Sequence, residues 1–198
     1  MIPQEILLKY NATIKTFEKD ATLFSENETA RYYYQIVSGA VKMNNYNEDG
    51  KEFIQGIFYK QQSFGEPPLF IDIKYPASAV TLVKSDILLI DRQAFFQLLK
   101  EHPEIHLNIT QSLAKRLYYK AIIASEISSQ EPAHRVLRFI DYLKNDVAKT
   151  SGDFTFKVDY TRQQIADILG LRVETVIRVI KSLEKQGELK IIKRKVYR

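Results

Sequence analysis

The 198-residue sequence contains no cysteine. This absence excludes disulfide bonds, thiolate zinc sites, iron–sulfur ligation and cysteine nucleophiles. The sequence also lacks any run of about 18 apolar residues, the length that a membrane-spanning helix needs. Its first residues show no basic segment followed by a long apolar one, so we expect no secretory signal. With 45% hydrophobic and 27% charged residues the composition is ordinary for a globular protein. We therefore expect a cytoplasmic protein without a membrane partner.

An excess of positive charge is confined to the last third of the chain. The net charge is +5. Residues 1–129 hold 14 Lys and Arg against 15 Asp and Glu, whereas residues 130–198 hold 15 against 9. Such asymmetry indicates a basic module that meets a polyanion such as nucleic acid. A solvated basic surface is the alternative, because net charge speaks only to non-specific attraction.

The chain changes from a strand pattern to a helix pattern near residue 92. Short apolar and β-branched runs separated by polar or glycine-containing turns come first, which predicts a sandwich or barrel. These runs cover residues 32–37, 40–43, 53–58, 79–83 and 86–90. Helical patterns then cover residues 92–100, 103–128 and 133–147, and a strand is predicted over 154–158.

The helix predicted over residues 103–128 is unusually long for so small a protein. It contains no glycine and no proline after its first residue, and about 26 residues would extend near 40 Å. One apolar stripe follows a spacing of three to four residues, namely Leu113, Leu117, Ala121 (or Lys120), Ala124 and Ile127. This stripe favours a dimer interface. The alternative is that the helix lies along the barrel of its own chain.

Residues 161–180 carry the most informative pattern. Thr161 followed by Gln164 is typical of a capping box, which begins a helix. Gly170 can adopt the left-handed conformation that ends a helix. A second helix follows almost at once, with an apolar stripe at Val176, Val179, Ile180 and Leu183. Two short helices joined by a tight turn predict a helix-turn-helix, which places its second helix in the DNA major groove.

The opposite face of that second helix presents Glu174, Ile177 and Arg178. Arginine can bind guanine in bidentate fashion, glutamate can accept a hydrogen bond from cytosine, and isoleucine can contact a thymine methyl group. The alternative is a surface Glu–Arg pair that stabilises an exposed helix. After residue 187 the sequence alternates into a basic hairpin, and Lys193 and Arg194 at its tip suit phosphates. The remaining candidate DNA contacts are Thr161, Arg162, Gln163, Arg172 and Thr175.

These motifs together resemble the CRP/FNR family of bacterial transcription regulators over nearly the whole chain. The matching segments are Phe-Gly-Glu-Pro-Pro-Leu-Phe at 64–70 and the helix-turn-helix at 161–180. The resemblance implies an α+β fold: a cyclic-nucleotide-binding-like β-roll of jelly-roll type (1–101), a dimerisation helix and hinge (102–129), and a winged helix-turn-helix (130–198). It also implies a homodimer that binds a palindromic operator in double-stranded DNA and contacts RNA polymerase. No catalytic motif is visible, so we expect no enzyme.

The resemblance also implies a small-molecule effector in the β-roll. The candidate pocket residues are Gly65, Glu66, Ala77, Ser78 and Lys120. Family members that bind cyclic AMP hold its phosphate with an Arg followed by Ser or Thr, and these positions are Pro76 and Ala77 here. Because neither supplies a charge or a hydroxyl, we expect an unidentified effector rather than cyclic AMP. No cofactor is certain, and an iron–sulfur cluster is excluded. The alternative function is a small-molecule sensor whose roll pocket is the primary activity.

Overall fold

The computed structural model describes residues 1–128 and 131–198, without the side chains of residues 123 and 125–128. The chain forms two compact units, Met1–Arg116 and Leu117–Arg198. The three domains predicted from the family resemblance have other boundaries, namely 1–101, 102–129 and 130–198. These boundaries stay a prediction. None of the described helices is both long enough and apolar enough to span a bilayer.

Two antiparallel sheets of four strands form the first unit. Their orders are β1-β8-β3-β6 and β2-β7-β4-β5. The elements are α1 (Gln4–Lys9), β1 (Thr13–Phe17), β2 (Thr22–Phe24), β3 (Tyr32–Ser38), β4 (Ala40–Tyr46), β5 (Glu52–Tyr59), β6 (Ser63–Phe64), α2 (Pro67–Ile71), β7 (Ser78–Thr81), β8 (Ser85–Asp91) and α3 (Arg92–Glu101). The predicted β-roll is confirmed, while α1, β1, β2, β6 and α2 add elements that the sequence patterns did not predict.

Aromatic side chains fill the space between the two sheets. Phe64 is completely buried, and Phe24, Tyr34 and Tyr75 are almost so. Phe24 lies at 5.3 Å from Tyr34 and 6.2 Å from Phe64, measured between ring centroids. Burying these large rings supplies much of the hydrophobic free energy that stabilises the unit.

Helix α4 (Pro103–Ser128) has the bounds that the sequence predicts. Ile105 and Ile109 are buried, and Leu113 packs against the core of the first unit. The first half of the helix therefore lies against its own chain, and Leu113 is half-buried there; its place in a dimer stripe stays a prediction. Leu117 is 70% exposed and Ala121 and Ala124 are exposed. The side chain of Ile127, also assigned to the stripe, lies outside the described residues.

Three helices and a small sheet form the second unit. They are α5 (Pro132–Tyr142), continued by a π-helical turn (Leu143–Val147), β9 (Lys157–Val158), α6 (Arg162–Leu169), α7 (Val173–Lys185), β10 (Lys190–Ile192) and β11 (Lys195–Tyr197). The strands pair in the order β10-β11-β9. The strand predicted over 154–158 is shorter, because Phe154 has a left-handed backbone with φ of 57°. The predicted winged helix-turn-helix is confirmed.

The guanidinium of Arg198 joins three parts of this unit. Its Nε lies 2.6 Å from Asp141 Oδ1 on α5, and its Nη1 lies 2.7 Å from Glu188 Oε2 in the turn after α7. The backbone of Arg198 also pairs with Phe156 in both directions. These contacts hold β11 against both helices, and therefore fix the position of the hairpin.

Candidate nucleic-acid interface

Local interactions define both ends of α6, and its end at Gly170 begins the turn to α7. Thr161 Oγ1 accepts from the Gln164 amide at 3.1 Å, and Gln164 Oε1 accepts from the Thr161 amide at 2.8 Å. This confirms the predicted capping box. Gly170 then ends α6 with φ of 66°. A Cβ there would meet no atom within 4 Å, so the backbone angle rather than space favours glycine.

Helix α7 has one buried face and one exposed face. Val176, Val179, Ile180 and Leu183 are buried. The exposed side chains are Glu174, Ile177, Arg178, Lys181, Ser182 and Lys185. Ile177 is 42% exposed, so a large part of its apolar surface faces solvent.

Glu174 and Arg178 lie four residues apart on the exposed face, yet they form no ion pair with each other. Within the part of the chain that the structure describes, neither side chain has a hydrogen bond or ion-pair partner. The surface-pair alternative therefore does not account for them. Both groups are available to a ligand outside the protein.

Two cations of the second unit, Arg198 and Lys157, are bonded to carboxylates, the latter to Asp159 at 2.6 Å. The cations at the start of α7, along its exposed face and in the hairpin that follows are exposed instead and have no ion pair among the described residues: Arg172, Arg178, Lys181, Lys185, Lys190, Lys193, Arg194 and Lys195. Lys181 and Lys185 were not among the predicted contacts, although the spacing 174-178-181-185 already places them on one helix face.

Four further predicted DNA contacts lie around the two helices. Arg172 is exposed at the start of α7, and its side chain does not cap the helix. Arg162 and Thr175 are half-buried. Gln163 donates from Nε2 to Asp167 Oδ1 at 2.8 Å within α6. Gln163 therefore has a structural role, as Thr161 has in the capping box, and the DNA contacts of all five stay predictions.

The hairpin between β10 and β11 turns through Lys193 and Arg194. Ile192 pairs with Lys195, which leaves a two-residue loop. Both loop residues have positive φ, 46° and 67°, as a type I′ turn requires. Such turns favour Asn-Gly, because a left-handed backbone costs other residues about 1–2 kcal/mol each. Two exposed cations occupy this turn despite that cost.

The carboxylate of Glu66, one of the predicted effector-pocket residues, pairs with Arg116 of helix α4. Glu66, at the start of α2, is only 1% exposed. Arg116 Nη1 lies 3.2 and 3.0 Å from its two carboxylate oxygens, and Nη2 donates to the Ser63 carbonyl at 2.6 Å. The guanidinium also lies over the Phe58 ring, 5.2 Å from its centroid. Sequence reasoning missed Arg116, because 50 residues separate it from Glu66.

The other predicted pocket residues differ in their surroundings, and Lys120 belongs to the second unit. Ala77 is fully buried, and a Cβ on Gly65 would lie 3.2 Å from the Phe24 ring. Tyr75 stacks on Phe24 with 3.7 Å between centroids, and burial raises the pKa of Tyr75 to about 12. Ser78 Oγ accepts from the Glu26 amide at 3.0 Å. Lys120 is an exposed residue of the second unit. Their roles in effector binding stay predictions.

The β-roll and the winged helix-turn-helix define a DNA-binding protein with a nucleotide-binding type of regulatory domain. A cyclic nucleotide-binding domain model matches residues 14–102, and a Crp-like helix-turn-helix domain model matches residues 134–197. The cAMP-activated global transcriptional regulator CRP of Haemophilus influenzae is 31% identical over 169 residues, which cover 84% of this chain and 75% of that protein. The chain belongs to the CRP/FNR family, and it is a CRP-type DNA-binding transcription regulator.

Other relatives and structures agree with this assignment. The global nitrogen regulator of Nostoc sp. is 26% identical over 188 residues, covering 92% of this chain and 83% of that protein. The c-di-GMP-responsive regulator CLP of Xanthomonas campestris has a TM-score of 0.77 and 23% identity, with 98% and 96% of the two chains covered. FixK2 from Bradyrhizobium japonicum has a TM-score of 0.77 and 22% identity, with 94% and 91% covered. At these identities the two structures bear on the fold alone.

Proposed function

We propose that the protein acts as a homodimer that binds a palindromic operator, with α7 of each protomer in the major groove. The observation that carries this proposal is the exposed face of α7. It presents an exposed isoleucine together with a carboxylate and a guanidinium that have no bonding partner among the described residues. Those three chemistries suit thymine, cytosine and guanine respectively.

The exposed positions of α4 support a dimer. Leu107 is 58% and Leu117 is 70% exposed, and Ala114, Ala121 and Ala124 are exposed too. These five positions follow the seven-residue repeat of a coiled-coil interface. A second copy of α4 would cover them, and its twofold symmetry would match a palindromic site. Small alanines at three of the positions would let the two helices approach closely.

Phosphate contacts would come from the hairpin tip and the ends of α7. Lys193 and Arg194 are exposed cations in a loop that two strands hold in place. Backbone contacts of this kind position a protein on DNA without reading its sequence. Contact with RNA polymerase, which the family resemblance implies, is also part of the proposal.

The test is selection of bound sequences from a random DNA library with the full chain. We expect an inverted repeat whose half-site centres lie about one helical turn, roughly 34 Å, apart. The double variant E174Q/R178Q should lose the enriched sequence, whereas K60A, which removes an exposed cation in the β5–β6 turn of the first unit, should retain it. Enrichment of no sequence, or of an unrepeated one, would contradict the proposal.

A further inference from the structure

We propose that Ile177 contacts the C5-methyl group of a pyrimidine in the operator, so that operator affinity depends on this methyl group. Thymine carries such a group at its major-groove edge, and 5-methylcytosine carries it at the same ring position. This inference rests on the proposed function, since it names a chemical group that α7 recognises in its DNA site. It goes beyond the hydrogen bonds of Glu174 and Arg178, because a methyl group can be present or absent without any change in base pairing.

Ile177 lies outside the buried stripe of α7. It is 42% exposed, whereas Val176 and Ile180 are 0% and 1% exposed. Isoleucine is also a weaker helix former than the straight-chain polar residues that suit exposed positions, because its β-branch restricts χ1. Neither the core nor helix stability therefore accounts for an isoleucine here. Because a single exposed apolar residue is common on protein surfaces, its neighbours decide what it contacts.

Charged side chains without protein partners surround Ile177. Glu174 lies three residues before it, Arg178 directly after it and Lys181 four residues after it, and all three are exposed. Residues three and four apart are neighbours on a helix surface, with about 5–6 Å between Cβ atoms. None of the three has a hydrogen bond or an ion pair within the described part of the chain. An apolar partner that covered Ile177 would have to bury these charges unpaired, whereas DNA offers phosphates and polar base edges beside its methyl groups.

The position of Glu174 separates the two bases that can supply the methyl group. Cytosine carries its N4 amino group, from which a glutamate can accept a hydrogen bond, on the ring atom next to C5. A methyl group on that same cytosine would therefore lie beside the Glu174 carboxylate, and Ile177 is the adjacent side chain on the helix. Thymine presents the O4 acceptor instead, which a carboxylate does not bind, so a thymine methyl group would come from a neighbouring base pair. The two sources thus differ in their place in the half-site.

The structure of α7 gives this contact a fixed geometry. The helix is held by its buried stripe and packs against α5 and α6. Isoleucine in a helix has one strongly preferred χ1 rotamer, so holding it against a methyl group costs little side-chain entropy. Burial of one methyl group corresponds to about a fourfold change in Kd. A palindromic operator presents the group once in each half-site, so the effect on a dimer is about fifteenfold when both half-sites change.

The test measures operator affinity by fluorescence anisotropy with the full chain and modified copies of the selected operator. Each thymine is replaced in turn by deoxyuracil, which removes only the methyl group, and each cytosine in turn by 5-methylcytosine, which adds one, in both half-sites together. We expect at least one replacement to change the wild-type Kd about fifteenfold. A weaker complex with deoxyuracil identifies thymine as the source of the methyl group, and a tighter complex with 5-methylcytosine identifies methylated cytosine.

The variant I177A removes the contact and should keep the fold, since Ile177 lies outside the buried stripe and alanine favours a helix. Its Kd should be the same within twofold whether or not the methyl group is present. The control V147A shortens another exposed aliphatic side chain of the second unit and should retain the wild-type dependence on the methyl group. A wild-type Kd that changes less than twofold at every replaced base would overturn the inference, as would a methyl dependence that persists in I177A. If the wild type selects no DNA sequence at all, the proposed function fails instead.

Discussion

Replacing the two cations at the hairpin tip should stabilise the fold and weaken DNA binding at the same time. The variant K193N/R194G puts the residues that a type I′ turn favours at the two positions with positive φ. Glycine at 194 removes about 1–2 kcal/mol of left-handed strain and costs about 0.5–1 kcal/mol in backbone entropy. With asparagine at 193 also tolerating this conformation, we expect a net stabilisation of about 1 kcal/mol.

The loss of charge acts on DNA binding in the opposite direction. If both side chains contact phosphates in each protomer of a dimer, four contacts disappear. The slope of log K against log salt concentration should then become shallower by up to about 3.6. The assays are thermal melting followed by circular dichroism and operator titrations at several salt concentrations. The variant K60N, which also removes an exposed lysine, should leave the slope unchanged.

Because stability should rise while DNA affinity falls, the variant K193N/R194G distinguishes the loss of phosphate contacts from damage to the fold. A variant that melts higher and keeps the wild-type salt slope would refute the assignment of the hairpin tip to phosphates. A lower melting temperature would refute the explanation that the positive φ angles at Lys193 and Arg194 strain the hairpin turn.

Three further variants test other parts of the structure. L117E should convert the dimer to a monomer in sedimentation experiments, because Leu117 is 70% exposed in the protomer and a carboxylate there would be buried unpaired between two copies of α4; a persistent dimer would contradict the proposed α4 interface. G39A should lower the free energy of unfolding by about 2–5 kcal/mol in urea titrations, since the new Cβ would lie 2.1 Å from Ser85 Oγ at a φ of 94°, and a wild-type midpoint would rule out that clash. R198A should cost about 1–2 kcal/mol, because it leaves the partly exposed Asp141 without its cation; unchanged stability would show that this contact contributes little.

The helices were predictable where local signals define them. The long α4 has its predicted bounds because proline can begin a helix but no later glycine or proline interrupts this one. Helix α6 is equally local, since the Thr161–Gln164 capping box and Gly170 mark its two ends. These signals act within a few residues, so the sequence alone reveals them.

Contacts between distant segments were not predictable from local patterns. The Glu66–Arg116 pair depends on bringing α2 and α4 together, and nothing near Arg116 distinguishes it from other cations on a helix. Leu113 fits a stripe with Leu117 by spacing, but its burial against the roll appears only in the folded chain. The strand predicted from Phe154 begins only at Lys157, since Phe154 has a left-handed backbone that is unusual for an aromatic residue.

We propose above that the exposed face of α7 reads bases in the operator, and Arg178 is the side chain that tests this most directly. The most direct measurement compares wild type and R178A on the selected operator and on a copy with one G·C pair of the half-site replaced. We expect wild type to discriminate the two duplexes by about 1–3 kcal/mol and R178A to bind both with nearly the same Kd. Equal discrimination by wild type and R178A at every G·C pair of the half-site would contradict it.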